Sequence, residues 1–118
     1  MTNFQRLKEL TEELQESANY LVDIFQKVKS TGESEDFYEV VRPYANKVAE
    51  WNAEWKDLAE EWVKTEKPLY LHPSQISTAS DHLEVISIQA FFKETSKKRF
   101  LDSAKSVQFI LQTVLDRL

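Results

Sequence analysis

The chain has 118 residues, with 42% hydrophobic and 12% aromatic content, a formal net charge of −5, one glycine, three prolines and no cysteine. That length suits one domain, and the apolar fraction is too high for a disordered chain. The lack of cysteine rules out disulfides, thiolate metal sites and cysteine nucleophiles, and the acidic balance makes a poor ligand for nucleic-acid phosphates or anionic lipid.

So few glycines and prolines also argue against a sheet protein, which needs a turn every ten residues or so. No stretch approaches the ~18 apolar residues of a membrane span. The first residues, MTNFQRLKEL, contain no apolar run of signal-peptide type. The expectation is a soluble cytoplasmic protein.

Thr2 and Gln5 stand at capping-box spacing and predict the start of a first helix. Phe4, Leu7, Thr11, Leu14, Ala18, Leu21, Phe25 and Val28 then alternate steps of three and four, so one helix side carries them all. Continuous, that seam would run on the order of 40 Å. Thr11 is its one strongly polar member, and Leu10 and Ile24 widen it as contact with two neighbours requires.

Ser30 to Ser34 form a connection that holds the glycine, Gly32, where a left-handed helix terminus favours it. Ser34 is placed to cap a short helix carrying Phe37, Val40, Val41 and Tyr44. Pro43 cannot donate a backbone hydrogen bond and clashes with the preceding turn, which predicts a break or kink near Val41 and Arg42.

A long helix follows from Pro43 to about Lys67, with Tyr44, Val48, Trp51, Trp55, Leu58 and Trp62 on one stripe. The stripe contains every tryptophan of the chain. Its plain reading is core, with room for one tryptophan to border a groove instead.

Pro68 ends that helix, and PLYLHPSQI is a true loop. Pro73 suits the first turn of a third helix. Ile76, Ala79, Leu83, Ile86 and Ala90 form its main stripe, and Val85, Ile88 and Phe92 form another roughly opposite. That pattern predicts burial on two sides, with the Phe37–Val41 segment covering the second face; the alternative is a second protein chain.

A short turn near Thr95 to Lys98 leads to a last helix whose seam is Phe100, Ala104, Val107, Leu111, Val114 and Leu118. The predicted fold is all-α. It is an up-down-up-down four-helix bundle over residues 1–118, with a short extra helix before the proline that opens helix two.

The run DFYEVVRPYA, the spaced tryptophans, KPLYLHPSQI, HLEVISIQAFF and KKRFLDSAKSVQFIL together resemble the YppE-like family. The resemblance spans about Asp36 to Val114. It is most specific in the Pro68, Tyr70, His72, Gln75, Ile76 spacing and in the Lys98, Arg99, Phe100 cluster. It implies small helical proteins of Gram-positive bacteria, a four-helix bundle and no assigned activity, so no catalytic residue is carried over.

The residues themselves offer little chemistry. Di-metal bundles need inward glutamates and Glu-x-x-His pairs, whereas Ala79 stands three before His82 and Leu69 three before His72. No metal or other cofactor is expected. Glu50, Glu54, Asp57 and Glu61 line a flank of the second helix and read as a solvated face paired with Lys47, Lys56 and Lys64. No G-x-S-x-G is present, and a single glycine cannot build a phosphate-cradling loop.

Two binding candidates remain. Lys98 and Arg99, with Lys93 and Lys97, could hold a phosphate or an acidic partner. Their structural role would be to complement the C-terminus of the third helix, unless the fourth begins at Lys97 and they oppose its dipole. Tyr70, His72 and Gln75 are the better site; structurally, the His72 ring caps the third helix or His72 is itself capped by Gln75.

These features favour a non-enzymatic protein-interaction or adaptor module, through a protein partner or self-association. The alternative is a small-ligand binder or hydrolytic enzyme with a pocket near Tyr70, His72 and the tryptophan stripe.

Overall fold

The computed structural model describes residues 3–118. Helices α1 (Asn3–Thr31), α2 (Arg42–Glu66), α3 (Pro73–Gln89) and α4 (Lys97–Arg117) follow in order, with a π-helical turn, Phe37–Val41, leading into α2. Thr2, the expected cap of α1, lies outside the described residues. Each helix packs on the next, and α4 closes back on α1. Gln15 pairs with Gln112 and Asn19 with Gln108. One number rises by four as the other falls by four, which marks α1 and α4 as antiparallel. The bundle measures 45 × 26 × 18 Å.

The seams build the core. Leu7, Leu10, Leu14, Leu21 and Phe25 from α1 are fully buried, as are Trp55 from α2, Ile76, Leu83 and Ile86 from α3, and Phe100 and Leu111 from α4. Phe25 and Phe100 stack at 4.1 Å. Each such side chain contributes about 1.5–3 kcal/mol through burial, against about 1 for a helix cap, so the seams decide the fold. Phe4, the first member of the α1 seam, departs from it and is exposed.

The buried face of α2 is rotated from the tryptophan stripe. Val48, Asn52, Trp55, Ala59, Trp62 and Val63 are buried, whereas Tyr44, Trp51 and Leu58 are half-buried. Trp51 is the half-buried tryptophan and lines a cleft, Trp62 lines another while staying buried, and Trp55 is wholly core. Thr11 explains itself here: the Trp55 Nε1–H donates to Thr11 Oγ1 at 3.0 Å, and the Thr11 hydroxyl donates to the Leu7 carbonyl at 2.6 Å. Asn52 Nδ2 donates to the Ser80 carbonyl at 2.9 Å and ties α2 to α3.

Of the two outcomes expected before Pro43, a break or a kink, the helix shows no break but a local distortion at Phe37–Val41. The Arg42 N–H reaches the Phe37 carbonyl, five residues back, so the helix widens by one residue where proline offers no N–H. Asp36, not Ser34, caps this turn, accepting from the Glu39 N–H at 2.7 Å. Ser34 Oγ instead accepts from the Lys93 N–H at 2.9 Å, beside the Glu35 N–H to Phe91 carbonyl bond of 3.0 Å.

α3 stops at Gln89, earlier than expected. Thr95 Oγ1 donates to the Gln89 carbonyl at 2.6 Å, and Phe91 turns inward to meet Tyr44 edge-on at 5.9 Å. Val85 and Ile88 are each 43% exposed, so α3 is not buried on two sides. The Phe37–Val41 turn does not cover them, because it packs on α2 and buries Val41 alone. Among the described residues no helix is long and apolar enough to cross a membrane.

Candidate functional site

The segment between α2 and α3 is short and shaped residue by residue. Lys67 ends α2 in the left-handed region at φ 49°, with its N–H on the Val63 carbonyl at 3.0 Å. Pro68 then prevents continuation. Tyr70 is also left-handed at φ 65°, a backbone state that costs a non-glycine residue on the order of 1 kcal/mol or more. The reversal buries Leu71 and turns its neighbours out: Leu69 is 69% exposed and Tyr70 79%.

The loop is held at both ends. Arg117 Nε donates to the Leu69 carbonyl at 3.3 Å. Gln75 Oε1 accepts from the His72 N–H at 2.7 Å, and Pro73 opens α3. Gln75 thus caps His72, one of the two structural roles expected for that pair, and the His72 side chain stays exposed.

Two open clefts flank this loop. One of about 380 Å³ is lined by Val63, Lys64, Tyr70 and His72 among others and contains no tryptophan. The other, about 600 Å³, lies between Phe4, Trp62, Pro68, Arg117 and Leu118. Tyr70 and His72 share the smaller cleft and Gln75 is joined to His72 through its backbone N–H, but the tryptophan stripe reaches this end only through Trp62. Among the described residues, no three His, Asp or Glu side chains gather as a metal ligand set.

Lys98 and Arg99 lie at the opposite end of α3, whose 17 residues separate the two candidates by about 25 Å. α4 begins at Lys97, capped by Ser96 Oγ accepting from the Arg99 N–H at 3.4 Å. The basic residues therefore do not complement the end of α3; three of them occupy the first turn of α4 and oppose its dipole. Lys98 is offset by Asp102 at 3.1 Å.

The acidic flank of α2 also pairs differently from expectation. Glu54 receives both Nε and Nη2 of Arg6 at 2.8 Å, across to α1. That bidentate fork is better matched to a carboxylate than a flexible lysine is. The Arg6 hydrogen bond holds the Glu54 carboxyl below the usual carboxylate range.

Leu69 was not singled out in the sequence, although its neighbours were. A second missed feature is a cleft between α1 and α2 at Tyr20, Tyr44 and Trp51. Tyr20 lies off the α1 seam, and nothing in one sequence pairs it with Tyr44.

A family model for a bacterial domain of unknown function, DUF1798, matches residues 11–118. The uncharacterized protein YppE of Bacillus subtilis (strain 168) is 33% identical over 114 residues, covering 97% of this chain and 93% of that protein. Its crystal structure superposes with a TM-score of 0.92 over 99% of this chain and 94% of that one. A protein of unknown function from Listeria innocua is 27% identical with a TM-score of 0.88, covering 93% and 88% of the two chains. A DUF1798 domain from Staphylococcus aureus is 30% identical with a TM-score of 0.87, covering 96% of each. All are similar to this chain in fold and sequence, and none comes with an assigned activity.

Proposed function

Because the chain belongs to the DUF1798 family, bacterial domains of unknown function, we propose its role from its own surface: it is a non-enzymatic protein-interaction module of the cytoplasm. It engages a protein partner through the end of the bundle that carries the α2–α3 loop. The observation that carries this reading is the outward display of Leu69 and Tyr70 on a backbone fastened at both ends.

An exposed leucine beside an exposed tyrosine keeps apolar area in water, and that supports an interaction surface at this end. Tyrosine suits such a place, since it offers apolar area and a hydroxyl with little side-chain entropy to lose. Fixing the loop beforehand lowers the ordering cost of association. Phe4 and Leu118, both exposed, border the adjoining cleft and extend the apolar surface.

The test is affinity capture from a soluble lysate of the native organism with tagged wild type and a Tyr70→Ala/His72→Ala variant. Retention of a protein by the wild type and its loss by the folded variant is the expected result. Equal retention by both would remove the loop from the interface, and no retained protein would overturn the reading.

A further inference from the structure

We propose that the cleft between α1 and α2 receives a cationic side chain, lysine or arginine, from a basic segment of a partner protein. This goes beyond the loop reading and rests on different residues, since the cleft shares no lining residue with either cleft at the loop end.

The cleft is about 230 Å³ and is lined by Glu13, Glu16, Ser17, Tyr20, Tyr44 and Trp51. Its walls are aromatic and its rim is acidic. The Tyr20 and Tyr44 rings lie 5.2 Å apart, tilted by 49°, and Tyr20 is 45% exposed. The face of an aromatic ring is electron-rich and attracts a cation. The chain already shows this at one wall: Lys47 Nζ lies 5.0 Å from the centre of the Trp51 ring.

Charge complementarity selects the occupant. Glu13 and Glu16 form no salt bridge among the described residues. From Glu9 to Asp23, α1 carries Glu9, Glu12, Glu13, Glu16 and Asp23 and no Lys or Arg. The same acidic side continues into an adjoining cleft of about 580 Å³ that shares Glu13 and Glu16. An anion would be repelled here, and a neutral apolar group would leave two carboxylates without gain. Burial pushes the Tyr44 phenol up, so the wall stays uncharged at neutral pH. A lysine or arginine side chain lays its methylenes on the tyrosines and its charge between the carboxylates.

The test uses the full chain, ¹⁵N-labelled, titrated at low salt with acetyl-Gly-Lys-Gly-amide, its arginine counterpart and its norleucine isostere. The lysine and arginine peptides are expected to shift the Trp51 indole N–H and the Ser17 and Tyr20 amides saturably, while the buried Trp55 indole stays in place; the norleucine peptide should shift none of these signals. Tyr20→Leu keeps every charge, sits at an exposed position, and should weaken binding about threefold. Glu13→Gln/Glu16→Gln should abolish saturation. Equal binding of the norleucine peptide, unchanged affinity in Tyr20→Leu, or shifts spread without saturation over the acidic face would each overturn the proposal. None of these outcomes bears on capture through Tyr70, so the two readings fail separately.

Discussion

Thr11→Val removes one hydroxyl from the centre of the bundle and changes the side-chain shape little. The cost follows from the partners. Thr11 Oγ1 is the acceptor for the Trp55 Nε1–H at 3.0 Å, and both residues are fully buried. Valine leaves that N–H in the core without an acceptor, a penalty of about 1–3 kcal/mol. The Leu7 carbonyl loses less, because in a helix it also accepts the backbone N–H of Thr11. A net loss of about 2 kcal/mol is expected, and at about 4 °C per kcal/mol for a chain of this size it lowers the Tm by roughly 8 °C. Urea unfolding followed by circular dichroism should show a lower midpoint with an unchanged slope. Repeating the substitution in Trp55→Phe supplies the control: with the donor gone, Thr11→Val should cost little, and the cycle should return a coupling of about 1 kcal/mol or more. A Thr11→Val protein within about 0.5 kcal/mol of wild type would refute the reasoning.

Other substitutions separate the faces. Trp55→Ala and Leu111→Ala each truncate a fully buried side chain and should cost about 2–5 kcal/mol in chemical unfolding, while Asp57→Ala on the exposed side of α2 should cost about 0.5 kcal/mol or less. Gln75→Ala deletes the acceptor of the His72 N–H and should destabilise by about 1 kcal/mol, with faster hydrogen exchange at the His72 amide; Gln75→Glu keeps the acceptor and should preserve protection. Glu54 ionises more readily folded than unfolded, so its contribution is present above its unfolded value and is lost as the pH falls through the folded one. The Tm gap between wild type and Glu54→Gln should be open at neutral pH and begin to close below pH 4.5, vanishing once Glu54 is protonated in both states. A gap that persists in acid would detach it from the Arg6 pair.

The four-helix architecture was legible because long seams carry most of the burial energy and obey a fixed helical period. The α2–α3 loop was legible for a related reason: Pro68 and Pro73 act locally, and Gln75 reaches only three residues back to His72. What escaped depended on partners distant in sequence. Thr11 stood out as a polar seam member, but its reason lies 44 residues away at Trp55. Glu54 lies on the same helix as Lys47, Lys56 and Lys64, yet its carboxylate is matched by the Arg6 fork, which arrives from α1. The second apolar stripe of α3 was visible, but whether anything covers Val85 and Ile88 depends on where the Phe37–Val41 turn is carried by the widened helix before Pro43. That widening follows from one missing N–H, whereas its direction follows from the whole packing. Tyr70 was legible as a candidate because it sits in the only proline-framed loop. Its left-handed backbone, which turns Leu69 outward with it, follows from burying Leu71 and could not be read from residue type.

The most direct measurement places p-benzoylphenylalanine at position 70 and, separately, at Glu61, an exposed polar position on α2. Each protein is irradiated in cells and resolved by size. If the loop end is an interaction surface, position 70 gives a discrete cross-linked protein band that position 61 does not. No band at position 70, or the same bands at both positions, would contradict the assignment of this bundle as an interaction module working through Leu69 and Tyr70.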